Sequence, residues 1–242
     1  MVKVLTFFYK AGALALSGLY SIGLPLKIHG RPLAGRITVT AHSGCMGLAD
    51  NSIEAMAAGV EAGAQIVECD LNYTADGTPV LSHDSPQEGE TYVTLDQAFA
   101  FLHGHPEIQA NVDVKNTANL EKVPELAAKA GVTEQIFFTG IEEKDVAAVR
   151  EKCPGLPYYL NSGVSEDEDL NALAEKVAAL GAVGLNTYWG NATPELIRVF
   201  HKNGMPVSVW TVNEPKDVYR VALYGADNIT TRSPDIVCDL IK

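Results

Sequence analysis

One segment of the sequence, VECDLNYTADGTPVLSHD, combines two carboxylates, a turn and an imidazole within eighteen residues, 67–84. Glu68 and Asp70 are separated by one residue in a run typical of a β-strand, so both side chains project from the same face. Two carboxylates at so short a distance repel each other. Each raises the pKa of the other unless a cation lies between them. The spacing therefore predicts a divalent-cation site, and oxygen donors favour Mg²⁺ or Ca²⁺ over zinc.

Two histidines are predicted to lie beside these carboxylates. The Asp76-Gly77 turn folds the chain back towards His83. A tight turn centred on this dipeptide predicts that Asp70 lies opposite His83 on the same face, with Cβ atoms about 5.5 Å apart. His42, at the end of the preceding predicted strand, supplies a second imidazole. The pKa of histidine lies near neutrality, so the pair can act as general base and general acid.

The next predicted strand carries another pair of charged residues, Asp113 and Lys115, again two apart. Asp113 is predicted to be a third carboxylate ligand, and Lys115 a cation for anionic oxygens of a substrate. Each feature alone has an ordinary alternative: a strand-end histidine is commonly structural, and Asp-x-Lys is commonly a solvated ion pair. Their conjunction on three successive strands favours a functional site.

The elements that position these residues follow a regular pattern after Gly35. Short β-branched or apolar runs alternate with amphipathic, Ala-rich stretches, as in a parallel sheet. Strands are predicted over 37–42, 64–74, 109–115, 135–140, 157–161, 183–187, 206–212 and 228–231. Helices are predicted over 52–63, 95–103, 120–131, 145–152, 167–180, 194–204 and 215–225. The α/β fold class is therefore predicted to be a (β/α)8 TIM barrel, with a doubly wound open sheet as the alternative.

In a barrel of this kind the active site lies at the C-terminal ends of the strands. Polar, charged or aromatic residues stand at those ends in this sequence: His42, Glu68, Asp70, Asp113, Lys115, Thr139, Asn161, Asn186, Trp210, Asn213, Thr231 and Arg232. Trp210 is predicted to bind the substrate together with Lys115 and Arg232.

Length and charge limit the domain organisation and the partners. The chain has 242 residues and a formal net charge of −12. One catalytic domain is predicted over 36–242, after an apolar extension over 1–35. The negative charge argues against nucleic acid as a partner, because a polyphosphate is repelled at long range, but it does not exclude a small phosphodiester. The cysteines lack metal or redox spacing and are predicted to be free, mostly buried thiols in a reducing, cytoplasmic compartment.

The extension contains an uncharged run from Ala11 to Leu26. This run is short for a membrane-spanning helix, which needs about 20 apolar residues, and glycines and a proline interrupt it. Three interpretations stay open. The extension is a helix that packs on the body or on a partner subunit, a segment that contacts a membrane surface within residues 4–26, or a cleaved signal peptide.

The motifs around these residues resemble those of the glycerophosphodiester phosphodiesterase family, which are metal-dependent (β/α)8 barrels. The matching motifs in the first half of the chain are His42-Ser43-Gly44, Asp50-Asn51-Ser52, Gly63-Ala64-Gln65, Glu68-Cys69-Asp70, Asp76-Gly77, His83-Asp84 and Asp113-Val114-Lys115. The segments VWTVN (209–213) and GADNITTRSP (225–234) are similar to the family's last two strands. The resemblance runs from about Ile37 to the C-terminus.

This resemblance implies metal-dependent hydrolysis of a glycerophosphodiester to an alcohol and glycerol phosphate. It implies that Glu68, Asp70 and Asp113 hold one divalent cation, Mg²⁺ or Ca²⁺, and that His42 and His83 form the acid–base pair. The alternatives are a phospholipase D-like or cyclising lyase reaction on a lysophospholipid, and a relative that binds phosphate esters without turnover.

The sequence departs from the family pattern at several positions. Ser43 replaces the usual arginine, and the loss of one such cationic donor typically raises the barrier by about 3 kcal/mol. Asp50 and Asp113 are one methylene shorter than the usual glutamates. Arg232 replaces an acid and is predicted to reach the space near Ser43, because the last barrel strand adjoins the first. The segment after His83 is short, which predicts an open site without an inserted subdomain.

Overall fold

The computed structural model describes residues 32–241 of the chain, and within that range it contains nine strands and eight α-helices. The strands are β1 (Thr38–Ala41), β2 (Ile66–Tyr73), β3 (Pro79–Leu81), β4 (Gln109–Val114), β5 (Ile136–Ile141), β6 (Tyr158–Asn161), β7 (Gly184–Tyr188), β8 (Val207–Trp210) and β9 (Asn228–Thr231). The helices are α1 (Ile53–Glu61), α2 (Leu95–His103), α3 (Lys122–Ala130), α4 (Val146–Lys152), α5 (Leu170–Ala179), α6 (Pro194–Lys202), α7 (Pro215–Tyr224) and α8 (Pro234–Ile241). Every predicted strand and helix has an observed counterpart.

The sheet closes into a barrel. β1 pairs in parallel with β2 on one side, where Thr40 is opposite Ile66, and with β9 on the other, where Ala41 is opposite Thr231. The remaining parallel pairs run from β9 back through β8, β7, β6, β5 and β4 to β2. The predicted (β/α)8 barrel is therefore confirmed, and the doubly wound open sheet is excluded because an open sheet would leave β1 or β9 at an edge.

β3 lies outside the barrel wall and pairs antiparallel with β2, as a hairpin. Its register differs from the prediction: Leu71 is opposite Leu81, and the backbone N–H of Ser82 donates to the carbonyl of Asp70 at 2.9 Å. The predicted pairing of Asp70 with His83 is therefore wrong by one residue. The cause is a three-residue loop in which Gly77 adopts a φ of +79°, where a two- or four-residue turn was assumed.

Alternation along β2 separates the core from the site. Cys69 and Leu71 are fully buried in the hydrophobic layer between the strands and the helices. Glu68 and Asp70 consequently face the barrel interior. The four cysteines are buried and form no disulfide, as predicted.

A network of polar side chains in the barrel interior lies at the N-terminal ends of the strands. The side-chain oxygen of Asn228 on β9 accepts hydrogen bonds from Thr40 and Ser208 at 3.1 Å each, and its amide nitrogen donates to Thr38 Oγ1 at 2.9 Å. Asn228 thereby connects β9 to both of its neighbours, β1 and β8.

The predicted apolar extension, including the membrane-surface segment over 4–26, lies outside the described residues. Within residues 32–241, every helix is too short or too polar to cross a bilayer.

Candidate active site

Three carboxylates from two adjacent strands meet at the C-terminal end of the barrel. Asp70 on β2 is directly opposite Asp113 on β4, and Glu68 lies one inward-facing position below Asp70. One oxygen from each of the three side chains lies within 4.8 Å of the others. Glu68 and Asp70 are buried and Asp113 is partly buried. The structure thus brings together the residues that were predicted to be metal ligands.

Lys115 contacts two of these carboxylates. Its ammonium nitrogen lies 3.0 Å from Asp70 Oδ1 and 2.7 Å from Asp113 Oδ2. Burial alone would lower the pKa of Lys115, but the charges of Asp113 and Asp70 outweigh burial and raise that pKa above its ordinary value. The lysine predicted to bind substrate oxygens therefore also offsets charge in the carboxylate cluster, and it lines the same cavity.

The surroundings of Glu68 disfavour its ionised form. Burial, followed by the charges of Asp70 and Asp113, raises the pKa of Glu68 well above its ordinary value. The backbone N–H of Ser43 donates to Glu68 Oε2 at 2.7 Å and partly opposes this rise. A bound dication would relieve the remaining repulsion among the three side chains.

His42 follows β1 and lies beside Glu68. Its Nδ1 atom is 3.2 Å from Ser43 Oγ and 3.9 Å from Glu68 Oε2. Burial, with a smaller contribution from Arg232, lowers the pKa of His42 below its ordinary value, although nearby carboxylates oppose the shift. The imidazole is therefore neutral at pH 7 and able to accept a proton.

His83 follows β3 and lines the same cavity. Its side chain is 69% exposed, and its Nδ1 atom lies 3.0 Å from Asp84 Oδ1. His83 therefore lines the mouth of the cavity, whereas His42 is mostly buried within it.

The cavity has a volume of about 580 Å³. It extends from the carboxylates across β5, β6 and β7 to β8, and inward-facing polar groups line its floor: Asn111, Thr139, Asn161, Asn186 and Thr230. Trp210, at the end of β8, forms part of its wall, as the prediction of a substrate-binding role requires.

Arg232 is placed differently from the other predicted substrate-binding residues. Its Nη1 atom lies 2.8 Å from Asp50 Oδ1 and 3.3 Å from the carbonyl oxygen of Gly44. The guanidinium is thus next to the Ser43-Gly44 segment, but it lies outside the wall of the cavity. Its predicted substitution for the missing arginine stays a prediction.

Two residues have a clear structural role in the site that was not assigned to them from the sequence. Asn51 adopts a φ of +60°, and its amide group both donates to Asp70 Oδ2 at 2.8 Å and accepts from the backbone N–H of Asp70 at 2.9 Å. Gly140 follows Thr139 at a φ of +74°, where a Cβ atom would lie 2.3 Å from Asp113 Oδ1. The Asp50-Asn51-Ser52 motif signalled the first residue, whereas no sequence pattern signalled the second.

The donor set fits a hard divalent cation. All three side chains offer carboxylate oxygens within a few ångströms of a common point, which is the chemistry that Mg²⁺ and Ca²⁺ prefer. The nearest thiol, Cys69, belongs to the hydrophobic core on the other face of β2, so a site selective for a soft metal is not formed here.

Comparison with known proteins gives a family-level match. The model of the glycerophosphoryl diester phosphodiesterase family matches residues 41–103 and 88–236, which include each predicted site residue of the barrel. A glycerophosphodiester phosphodiesterase of Caldanaerobacter subterraneus subsp. tengcongensis is 23% identical to this chain, over 84% of this chain and 97% of the relative.

Solved structures share the fold. A glycerophosphodiester phosphodiesterase from Parabacteroides distasonis superposes with a TM-score of 0.72 at 21% identity, over 84% of this chain and 95% of that one. A phosphodiesterase from Oleispira antarctica, solved with its product sn-glycerol-3-phosphate, superposes with a TM-score of 0.68 at 20% identity, over 86% and 97% of the two chains.

Proposed function

The chain belongs to the glycerophosphoryl diester phosphodiesterase family, and from this premise we propose that it hydrolyses a glycerophosphodiester to an alcohol and glycerol phosphate. The reaction would depend on a divalent cation and on two histidines. The observation that carries the proposal is the grouping of Glu68, Asp70 and Asp113 in one cavity with His42 and His83.

Glu68, Asp70 and Asp113 would hold the cation. When bound, a divalent cation in such a site polarises a phosphoryl oxygen and neutralises charge that develops there. Lys115 supplies a second positive charge, because its ammonium already lies among these carboxylates and lines the cavity. Mg²⁺ and Ca²⁺ are both consistent with the all-oxygen donor set.

The two histidines differ in a way that suits opposite roles. His42 is mostly buried and its pKa is lowered, so it is neutral near pH 7 and suited to accept a proton from the attacking hydroxyl or water. His83 is exposed at the mouth, where it would donate a proton to the departing alcohol and exchange it with solvent. Asp84, at 3.0 Å, orients the His83 ring.

The experiment is a time course of glycerophosphodiester cleavage followed by phosphorus NMR, with Mg²⁺, Ca²⁺ or a chelator. The wild type should release glycerol phosphate with a divalent cation and lose activity in chelator. His42→Ala should be at least about a hundredfold slower, consistent with the contribution of general acid–base catalysis. His103→Ala is the matched control, since His103 is an exposed residue of α2.

Activity that resists both the chelator and His42→Ala would contradict the proposal. The same spectra distinguish the alternatives. A cyclic phosphate product would indicate the lyase reaction on a substrate with a free hydroxyl next to the phosphate. Binding of glycerol phosphate without turnover of any diester would indicate the non-catalytic relative, for which Ser43 is the main argument.

A further inference from the structure

A second cavity lies at the N-terminal end of the barrel. Its volume is about 400 Å³. The first residues of five strands line it: Thr38, Ile66, Gln109, Ile136 and Asn228. The cavity of the candidate active site opens at the C-terminal ends of the strands, so the two cavities open at opposite ends of the barrel.

The walls of this second cavity are apolar and partly open to solvent. Phe137 on β5 and Tyr159 on β6 line it, with their ring centroids 5.6 Å apart. Leu33 and Val183 also line it, and these side chains are 45% and 41% exposed. They are two of the six large apolar side chains that stay exposed within residues 32–241, and the other four follow or end strands at the catalytic end.

The backbone makes room for the aromatic wall at one glycine. Gly184 on β7 is opposite Tyr159 in the ladder. A Cβ atom at Gly184 would lie 2.8 Å from the Tyr159 ring and 2.4 Å from the carbonyl oxygen of Pro206. The ring of Tyr159 therefore packs directly on the backbone of β7. Apolar surface in contact with water is unfavourable, so the cavity favours an apolar occupant.

The chain enters the described part of the fold at this cavity. Pro32 is buried, and three of the next four residues, Leu33, Ala34 and Arg36, line the cavity. The backbone N–H of Leu33 donates to Asp227 Oδ1 at 2.6 Å, which fixes the entry point beside the start of β9. The residues before Pro32 are therefore attached at the edge of an apolar cavity.

The apolar run Ala11–Leu26 is connected to this entry point by a short tether. The run carries no charged side chain and includes five leucines, one isoleucine and one tyrosine. The chain between Leu26 and Pro32 can span at most about 20 Å. A segment tethered so closely has an effective concentration on the order of millimolar, which favours it over a second copy of the chain or a free ligand.

The charge around the cavity argues against a lipid surface as the occupant. Two acids, Glu134 and Asp227, line the cavity together with one base, Arg36. Surfaces that bind anionic lipids carry clusters of lysines and arginines instead. The whole chain has a formal charge of −12, so an anionic bilayer would repel it.

We propose that the segment 11–26 packs against the N-terminal end of the barrel and places apolar side chains in this cavity, over Phe137, Tyr159 and Val183. Among the interpretations of the extension that the sequence left open, this one is packing on the body of the same chain. The inference goes beyond the proposed function and does not depend on it, because the cavity lies away from the carboxylates and histidines.

Photo-cross-linking of the full-length chain tests where the segment lies. Val183 is replaced by p-benzoylphenylalanine, the protein is irradiated without lipid, and cross-linked peptides are mapped by mass spectrometry. The expected result is a cross-link within one chain between position 183 and a peptide from 11–26. Leu48 replaced in the same way is the matched control, because it is 42% exposed but follows β1 at the catalytic end. Position 48 should give no such cross-link.

Any other partner of position 183 would overturn the inference. Cross-links to a second copy, seen at twice the mass of the chain, would assign the cavity to an interface between copies. Cross-links to lipid, after addition of phosphatidylcholine and phosphatidylglycerol vesicles, would assign it to a membrane surface. An intact mass without the segment 11–26 would show that the extension is a removed signal peptide. Folded protein that gives no cross-link to 11–26 would overturn the inference as well.

A stability measurement provides an independent test if the cross-linking variant does not fold. Val183→Asp in the full-length chain should lower the melting temperature by about 2–4 °C, because the segment would bury the new carboxylate. Leu48→Asp, at matched exposure, should leave the melting temperature near the wild-type value. In a background of Leu19→Asp and Leu24→Asp, which disrupt the segment, Val183→Asp should have little further effect.

The same melting temperatures can contradict the inference in two ways. Full additivity of Val183→Asp with the two segment substitutions would overturn it, because residues that do not contact each other act independently. Equal shifts from Val183→Asp and Leu48→Asp would also overturn it, because position 183 would then be as open to solvent as position 48.

Discussion

Gly140 shows how one small residue fixes the position of a charged neighbour. Its φ of +74° and the 2.3 Å approach of a hypothetical Cβ to Asp113 Oδ1 leave no room for a side chain. The backbone N–H of Gly140 also donates to Asn161 Oδ1 at 3.0 Å, so the segment cannot move away without losing that bond.

Gly140→Ala should therefore displace Asp113 and weaken divalent-cation binding by about tenfold or more, as loss of ligand support typically does. Gly155→Ala is the matched control, because Gly155 has a similar φ of +90° but nothing within 4 Å of its hypothetical Cβ. Calorimetric titration checks both variants. Wild-type affinity in Gly140→Ala would show that Asp113 is not a ligand or that the loop adapts freely.

Glu68 makes the stability of the metal-free protein depend on pH. Its pKa is raised well above 4.5 in the folded protein, first by burial and then by Asp70 and Asp113. Above pH 4.5 the unfolded chain has lost this proton while the folded state retains it. The folded state therefore binds more protons, and the contribution of Glu68 to stability decreases as the pH rises from 4.5 towards the folded-state pKa.

Glu68→Gln should relieve this penalty. In chelator, its melting temperature should exceed that of the wild type by about 2–4 °C at pH 8, the shift expected for about 1 kcal/mol. The difference should vanish near pH 4, where both side chains are neutral. Thermal unfolding between these pH values measures it, with the exposed Glu61→Gln as control. A destabilised Glu68→Gln at pH 8 would contradict the assignment of repulsion to this carboxylate.

At the scale of elements, the side chain of Asn51 ties the connection between β1 and α1 to the carboxylate and backbone of Asp70 on β2. Asn51 makes two hydrogen bonds with Asp70, one to the carboxylate and one to the backbone. The next residue, Ser52, caps α1 by accepting from the backbone N–H of Ala55 at 3.1 Å. The start of α1 therefore sets the position of Asn51, and Asn51 orients Asp70.

Asn51→Ala should lower both cation affinity and kcat/KM by about ten- to a hundredfold, the usual effect of removing a partner that orients a ligand. Ser52→Ala serves as control: it should cost about 1 kcal/mol of stability through the helix cap and affect cation binding much less. Equal effects of the two variants on cation affinity would mean that Asn51 acts only through the helix.

The hairpin of β2 and β3 shows what the alternation of side chains along a strand can and cannot predict. Period-two alternation was enough to place Glu68 and Asp70 on one interior face. The register of β2 with β3 depends instead on the length of the hairpin loop. This loop has three residues, with Gly77 at a positive φ, and the Asp-Gly pattern does not reveal that length. The same limit applies to Gly140, whose role depends on a contact across strands with Asp113, and to Arg232, whose pairing with Asp50 joins opposite ends of the sequence.

At the scale of the whole molecule, closure of the barrel brings β9 beside β1 and completes the ring that carries the site. The strand and helix pattern predicted this closure, because eight consecutive strand–helix units are the number that forms a closed (β/α)8 barrel. The polar network that accompanies it was not predictable, since Asn228 contacts Thr38 and Thr40 from nearly the other end of the chain.

Asn228→Ala should destabilise the protein by about 1–3 kcal/mol, because it leaves buried hydroxyl groups of Thr40 and Ser208 without their partner. Catalytic activity of the folded variant should stay near that of the wild type, since the network lies at the end of the barrel away from the site. Urea unfolding and a parallel rate assay check both parts. Wild-type stability would show that closure does not depend on this network.

The most direct test of the central claim is a calorimetric titration of Mg²⁺ and Ca²⁺ into chelator-treated, dialysed protein. If Glu68, Asp70 and Asp113 form one cation site, the wild type should bind about one divalent ion per chain, and Asp70→Asn should weaken that binding at least about tenfold. Absence of binding to the wild type, or unchanged affinity in folded Asp70→Asn, would contradict the account.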